Sequence, residues 1–314
     1  MRRISRLRGH RCPAFTLIEL LVVVAIIALL IAILLPALGR ARIAGWLAVS
    51  MSNIRQATMA ATIYRDANKG FWPVTPVELG SVIHRPMYEP FSGHEDRARY
   101  ASFSFGGGNC SGAWTVVNTG RIPYDVHAAE RPLNPYLYPE FDFAATAPPF
   151  GIRLLPDAPQ RKLNLTPVLR DPSDKVGHQQ NWSDVVPPTQ SENDSPRLTC
   201  YQDVGNSYHY NAKWVYQLYP VVHDVGKAFM EGTRRLALGS GYEPSRMVWL
   251  NDEHTDVVVY NWRPGASLQY RNGYADINKG VLSYCDGHSK YTTVRPGATV
   301  ETFSNTDYTF VFDP

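Results

Sequence analysis

Hydrophobic and polar positions divide the chain into three regimes. Residues 1–14 are polar and carry Arg2, Arg3, Arg6, Arg8 and Arg11 with no acid. From Phe15 to Leu35 the chain reads FTLIELLVVVAIIALLIAILL, 21 residues with one charge, Glu19. A helix built from that run is apolar all round. At 1.5 Å per residue it covers about 30 Å, the thickness of a bilayer core. The pattern predicts a membrane-crossing helix over 15–36. From 37 to 70 the apolar residues become periodic. Leu47, Ile54, Ala57, Ala61 and Tyr64 recur at helical spacings, and Arg40, Arg42, Arg55, Arg65 and Asp66 fall largely off that face. The helix is expected to continue with one face packed on the body, and to stop at Asn68-Lys69-Gly70 ahead of Pro73.

Residues 71–314 change pattern again. Short β-prone runs occur at Tyr100–Phe105 and Ala113–Asn118, with Gly106-Gly107-Gly108 between them as a turn. No lysine-serine or lysine-threonine pair follows those glycines, so they do not form a phosphate loop. The proline-rich stretches 131–159 and 183–196 predict loops. Beyond residue 200, strands are expected in Ser207–Tyr216, Met247–Asn251, Asp256–Trp262 and Asp307–Phe312. The strongest signal is Val281–Val294, where Asp286-Gly287 separates two β-prone runs and predicts a hairpin. The whole reads as α+β: a long amino-terminal helix packed on a mainly antiparallel sheet.

Composition adds little to that picture; charge and cysteine add more. The 314 residues are 44% hydrophobic and 19% charged, as in ordinary globular proteins. The net charge is +3, but without residues 1–14 it becomes 26 basic against 28 acidic residues. A nucleic-acid partner is therefore not expected. The cysteines, Cys12, Cys110, Cys200 and Cys285, form no CxxC pair. Past the basic stretch, three pairings among Cys110, Cys200 and Cys285 remain open.

Glu19 needs a reason. A carboxylate at the centre of a membrane helix costs about 2.5–3.5 kcal/mol, less toward the end, and such residues are functional by default. An ordinary secretory signal has a shorter apolar run and a small-residue cleavage site after it. Here the small residue Ala14 stands before the run. Ala37-Leu38-Gly39, after the run, is the alternative site for a conventional cut.

The stretch Ala14-Phe15-Thr16-Leu17-Ile18-Glu19 resembles the type IV prepilin leader, shared by pilins and the pseudopilins of type II secretion, with Ala where Gly is usual. Pro36 falls where pilin helices often carry a kinking proline. The resemblance implies cleavage between Ala14 and Phe15 by a prepilin peptidase, and methylation of the new Phe15 amine. It implies that Glu19 pairs with the amine of a neighbouring subunit and sets assembly register. The arginines hold the amino terminus in the cytoplasm. The chain is then expected to be a single-pass protein of the bacterial inner membrane with a pilin-like, extracytoplasmic or periplasmic body. Its expected partners are the peptidase, other pilin-like subunits and membrane lipid. A body this large points to a minor or specialised subunit of a type IV pilus-like or type II secretion-like filament.

Residues 165–295 carry a second, divergent resemblance, to the processing-associated domain of large prepilin-like proteins named for a His, nine residues and Asp-Gly. It rests on Asp171-Pro172-Ser173-Asp174, Ser207-Tyr208-His209-Tyr210-Asn211, Pro244-Ser245-Arg246-Met247-Val248 and Gly280–Gly287. Asp171 stands where that domain has Cys, and Asp276 where it has the naming His.

Three groupings carry residue types suited to chemistry. Asp252-Glu253-His254 with Asp256 has carboxylates and an imidazole suited to metal binding or acid–base work, but strand neighbours face opposite ways, so a polar strand end is expected. Asp276-x-Asn278-x-Gly280 is half of a calcium loop without its downstream Glu, and a plain turn is expected. Calcium is the one cofactor the prepilin resemblance leaves open there. Asp286 is expected to serve its own turn. No catalytic constellation emerges, so the chain is not expected to be an enzyme. The alternative is a leader-anchored carbohydrate-binding or hydrolytic domain, with Trp182, Trp214 and Trp262 meeting ligand.

Overall fold

The computed structural model describes residues 17–74, 77–78, 98–99, 101–109, 126, 128–143, 166–174, 199–259, 269–297 and 299–313. The chain divides into two units, Met1–Gly45 and Trp46–Pro314. Helix α1 spans Leu17–Ala67 and runs through Pro36. In the first unit its apolar side chains, Leu17 to Leu38, are exposed. Among the described residues it is the one helix long and apolar enough to cross a membrane. The helix ends where the sequence places its stop, with Lys69 and Gly70 both in the left-handed region at φ 56° and 85°.

The second unit is an α+β body. After the antiparallel pair β1 (Val77–Glu78) and β2 (Ala98–Arg99) come the short helices α2 (Asn134–Leu137) and α3 (Cys200–Val204). Next are β3 (Tyr208–Tyr210), α4 (Trp214–Val222), α5 (Val225–Leu238), β4 (Val248–Asp252) and α6 (Glu253–Val259). The hairpin strands β5 (Lys279–Tyr284) and β6 (Ser289–Thr293) follow. Strands β3 to β6 form one antiparallel sheet in sequence order.

Register sorts the side chains of this sheet into two faces. Tyr210, Leu250 and Ser283 lie in one row. On that face the body's share of α1 docks: Thr58 Oγ1 donates to Ser283 Oγ at 2.8 Å, and Ile54, Ala57, Ala61 and Tyr64 are buried as their spacing predicts. His209, Asn251 and Leu282 form the next row and face the other way. Leu282 packs there with Val258 and Val259 of α6 and with Phe303, Tyr308 and Phe310 of the carboxy-terminal segment. The sheet is thus sandwiched between α1 and a layer made of α6 and that segment.

Several local expectations change. Residues 101–105 turn instead of extending, because Arg131 binds the carbonyls of Phe103 and Gly106, at 3.3 and 2.8 Å, and Ser104 N–H donates back to Ala101. Ser207–Tyr216 holds only three strand residues before α4 begins. Asp256–Val259 is helical, and 307–312 contributes isolated bridges through Thr309 instead of a strand. Ala113–Asn118, 144–165 and 183–196 lie outside the described residues.

Candidate functional site

Glu19 lies in the first turn of α1 and Pro36 within it. Ala14 and Phe15, at the expected cut and methylation site, lie outside the described residues, as does Cys110. The described chemistry is concentrated instead at the end of β4. Asp252 closes the strand, and Glu253, His254, Thr255 and Asp256 open α6; all five are buried. The change from strand to helix at residue 253 breaks the alternation expected for a strand end. Asp252 makes that change locally: its Oδ1 accepts from Thr255 N–H at 2.9 Å and Thr255 Oγ1 at 2.7 Å, capping the helix. Its Oδ2 accepts from Val281 N–H of β5 at 2.9 Å. Gly280 makes the fit possible, since a methyl group there would overlap Thr255 Oγ1 and crowd Asp252. Burial pushes the Asp252 carboxyl up to about 6, against the pull of His254.

The other side chains of the segment diverge. Asp256 Oδ1 accepts from Lys213 Nζ at 2.5 Å and Asn251 Nδ2 at 2.8 Å. Its Oδ2 lies 2.5 Å from His209 Nδ1. Burial alone raises the Asp256 carboxyl, but Lys213 and His209 outweigh it and hold the group well below the usual carboxylate range. Glu253 Oε2 is 3.1 Å from the same imidazole nitrogen and 3.6 Å from Cys200 Sγ. Cys200 Sγ is also 3.6 Å from His209 Nε2. Four ionisable side chains and a thiol thus share one buried site: Lys213 and His209 are fully buried, Glu253 and Asp256 at most 5% exposed. Among the described residues, Cys200, His209 and Glu253 are the group whose donor atoms all lie within 4.8 Å of one another.

A second polar cluster ties the remaining motif residues to α1. Asp171 accepts from Ser50 Oγ of α1 at 3.0 Å and from Tyr274 OH at 2.8 Å, and Ser50 Oγ is also 3.0 Å from Tyr208 OH. Burial and the Asp171 charge push both the Tyr208 and Tyr274 phenols up. Asp174 accepts from the Cys200 and Tyr201 amides, at 2.9 and 2.8 Å, and from Ser207 Oγ at 2.5 Å. Burial raises its carboxyl. Ser173 Oγ lies 3.0 Å from His254 Nε2. The Asp171–Asp174 and Ser207–Asn211 stretches, far apart in sequence, meet here as one hydrogen-bonded core.

The remaining candidates are placed as follows. Asp276 Oδ2 accepts from Lys279 Nζ at 3.2 Å and Tyr291 OH at 3.1 Å, and Asn278 Oδ1 accepts from Tyr270 N–H at 2.8 Å. Asp286 Oδ1 accepts from His288 N–H in the hairpin turn, where Gly287 has φ 94°. Cys200 and Cys285 are both buried and are not joined to each other. Trp214 is buried among Phe229 and Phe312, so it does not form an exposed ligand platform. Trp182 and Trp262 lie outside the described residues. Sequence reasoning singled out Glu253 and Asp256 but missed Cys200, His209 and Lys213 as their partners. The available signal was Lys213 set among the aromatic residues Tyr208, Tyr210, Trp214 and Tyr216.

The family model of the prokaryotic N-terminal methylation motif matches residues 10–35. No curated protein and no solved structure matches the chain. The motif supports a prepilin-type protein, and together with the apolar amino-terminal part of α1 it supports membrane anchoring.

Proposed function

We propose that this chain is a minor or specialised subunit of a type IV pilus-like or type II secretion-like filament. The observation that carries the proposal is the methylation motif running directly into a 51-residue helix whose later turns pack on an antiparallel α+β body. In this reading a prepilin peptidase cuts between Ala14 and Phe15 and the Phe15 amine is methylated. The body does no chemistry, and the chain is itself the substrate. Glu19 then meets the Phe15 amine of a neighbouring subunit. A charge pair in lipid gains little net energy after desolvation, so its use is to fix register. The test is Glu19→Ala in cells that assemble the filament. Normal membrane insertion with loss of the subunit from filaments is expected; wild-type incorporation would overturn the role given to Glu19.

A further inference from the structure

We propose that Cys200, His209 and Glu253 form a structural zinc site that pins α3, β3 and α6 together. The inference does not depend on the filament reading. Zinc bonds of about 2.0–2.3 Å at a tetrahedral angle place neighbouring donors about 3.6 Å apart. Cys200 Sγ is 3.6 Å from His209 Nε2 and 3.6 Å from Glu253 Oε2, so two edges of such a tetrahedron already exist. The Cys200 thiol donates to the Asn206 carbonyl at 3.2 Å, which holds the sulfur in place.

The imidazole is also oriented for the task. A metal-binding His commonly donates its other ring nitrogen to a carboxylate, which fixes the tautomer and sharpens the ligand. Asp256 Oδ2, 2.5 Å from His209 Nδ1, is that carboxylate, and Lys213 and Asn251 hold it in turn. Nε2 is left facing the thiol. A thiolate, an imidazole and a carboxylate form a mixed S, N and O donor set that suits zinc better than calcium or magnesium.

Zinc takes Cys as thiolate and His as neutral imidazole, and the ligand protons leave as the ion binds. In the loaded site the ion and Lys213 carry three positive charges, and the Cys200 thiolate, Glu253 and Asp256 carry three negative ones, so the charges balance as burial requires. Glu253 Oε2 exchanges its contact with the imidazole edge for the ion. The ligands come from three separate segments, so the ion enters as the body folds.

The test uses the full chain, purified from membranes in detergent without chelator after growth in zinc. One zinc per chain by elemental mass spectrometry is expected. Cobalt loading should give a thiolate-to-cobalt charge-transfer band that is lost in Cys200→Ser and kept in Cys285→Ser. Asp256→Asn should weaken zinc binding by about 10–100-fold, since it acts through His209. Substoichiometric zinc in the wild-type chain, unchanged after refolding with zinc, would overturn the proposal. So would a cobalt band that survives Cys200→Ser. The wild-type measurements need no variant to fold.

Discussion

Asp256→Asn is the most incisive single change in the body. It preserves shape and removes one charge from a site where Lys213 is fully buried. Asp256 is surrounded by three donors, Lys213 Nζ, Asn251 Nδ2 and His209 Nδ1. The amide that replaces a carboxylate oxygen must therefore turn its own N–H groups toward donors. Breaking a buried ion pair from one side costs about 3–5 kcal/mol, because the remaining charge keeps its desolvation penalty. Against a typical total stability of about 5–15 kcal/mol this is a large fraction. For a domain of this size it lowers the melting temperature by roughly 6–20 °C. The assay is denaturant unfolding of the full chain in detergent, followed by circular dichroism. Lys213→Met added to Asp256→Asn should restore at least about 1 kcal/mol by removing the stranded cation. A variant within about 1 kcal/mol of wild type, or a double variant no more stable than the single, would refute this account of the cluster.

Two further outcomes follow from the packing. Gly280→Ala should destabilise by about 3 kcal/mol or more, because the methyl meets Thr255 and Asp252 at the start of α6. Gly287→Ala meets nothing within 4 Å and should cost only about 1 kcal/mol, from its φ of 94°; equal urea midpoints for the two variants would contradict that ranking. Burial holds the Tyr138 and Tyr242 phenols up to about 12, above an ordinary value of 10. The folded protein binds these protons more tightly than the unfolded chain. Their contribution is therefore complete below about pH 10 and is lost as pH rises toward about 12. Ultraviolet titration should show both phenols intact at pH 11 in the folded chain. Ionisation near pH 10 without unfolding would count against their burial.

Elements with strong local signals were legible in the sequence. The apolar run of α1, its stop at Asn68-Lys69-Gly70 and the hairpin around Asp286-Gly287 need no distant partner. Strand β4 was legible because it is a short buried apolar run. Helix α6 was not: Val257, Val258 and Val259 are β-branched, and the helix depends on the Asp252 cap and on burial. Helix α5 had no counterpart among the sequence expectations; its ends are set by Asp224 Oδ1, which accepts from Lys227 N–H, and by Gly239 at φ 65°. Gly226 and Gly232 weaken its helical pattern. The buried ionic site was half legible. Glu253 and Asp256 stood out as charges, but His209 and Lys213 lie 47 and 43 residues from Asp256 in sequence, and the β3–β4 pairing brings them together. The change from strand to helix after Asp252 then sorts neighbouring side chains into different contacts.

The central claim is that the chain is a prepilin substrate, and the amino terminus tests it most directly. The full chain should be expressed with a prepilin peptidase, purified from membranes, and its first peptide weighed and sequenced. The account predicts a chain that begins at N-methylated Phe15. A chain that begins at Arg40, after a conventional cut, would remove the anchor together with Glu19 and contradict it. An intact Met1 in the presence of active peptidase would also contradict it, leaving α1 as a plain membrane anchor.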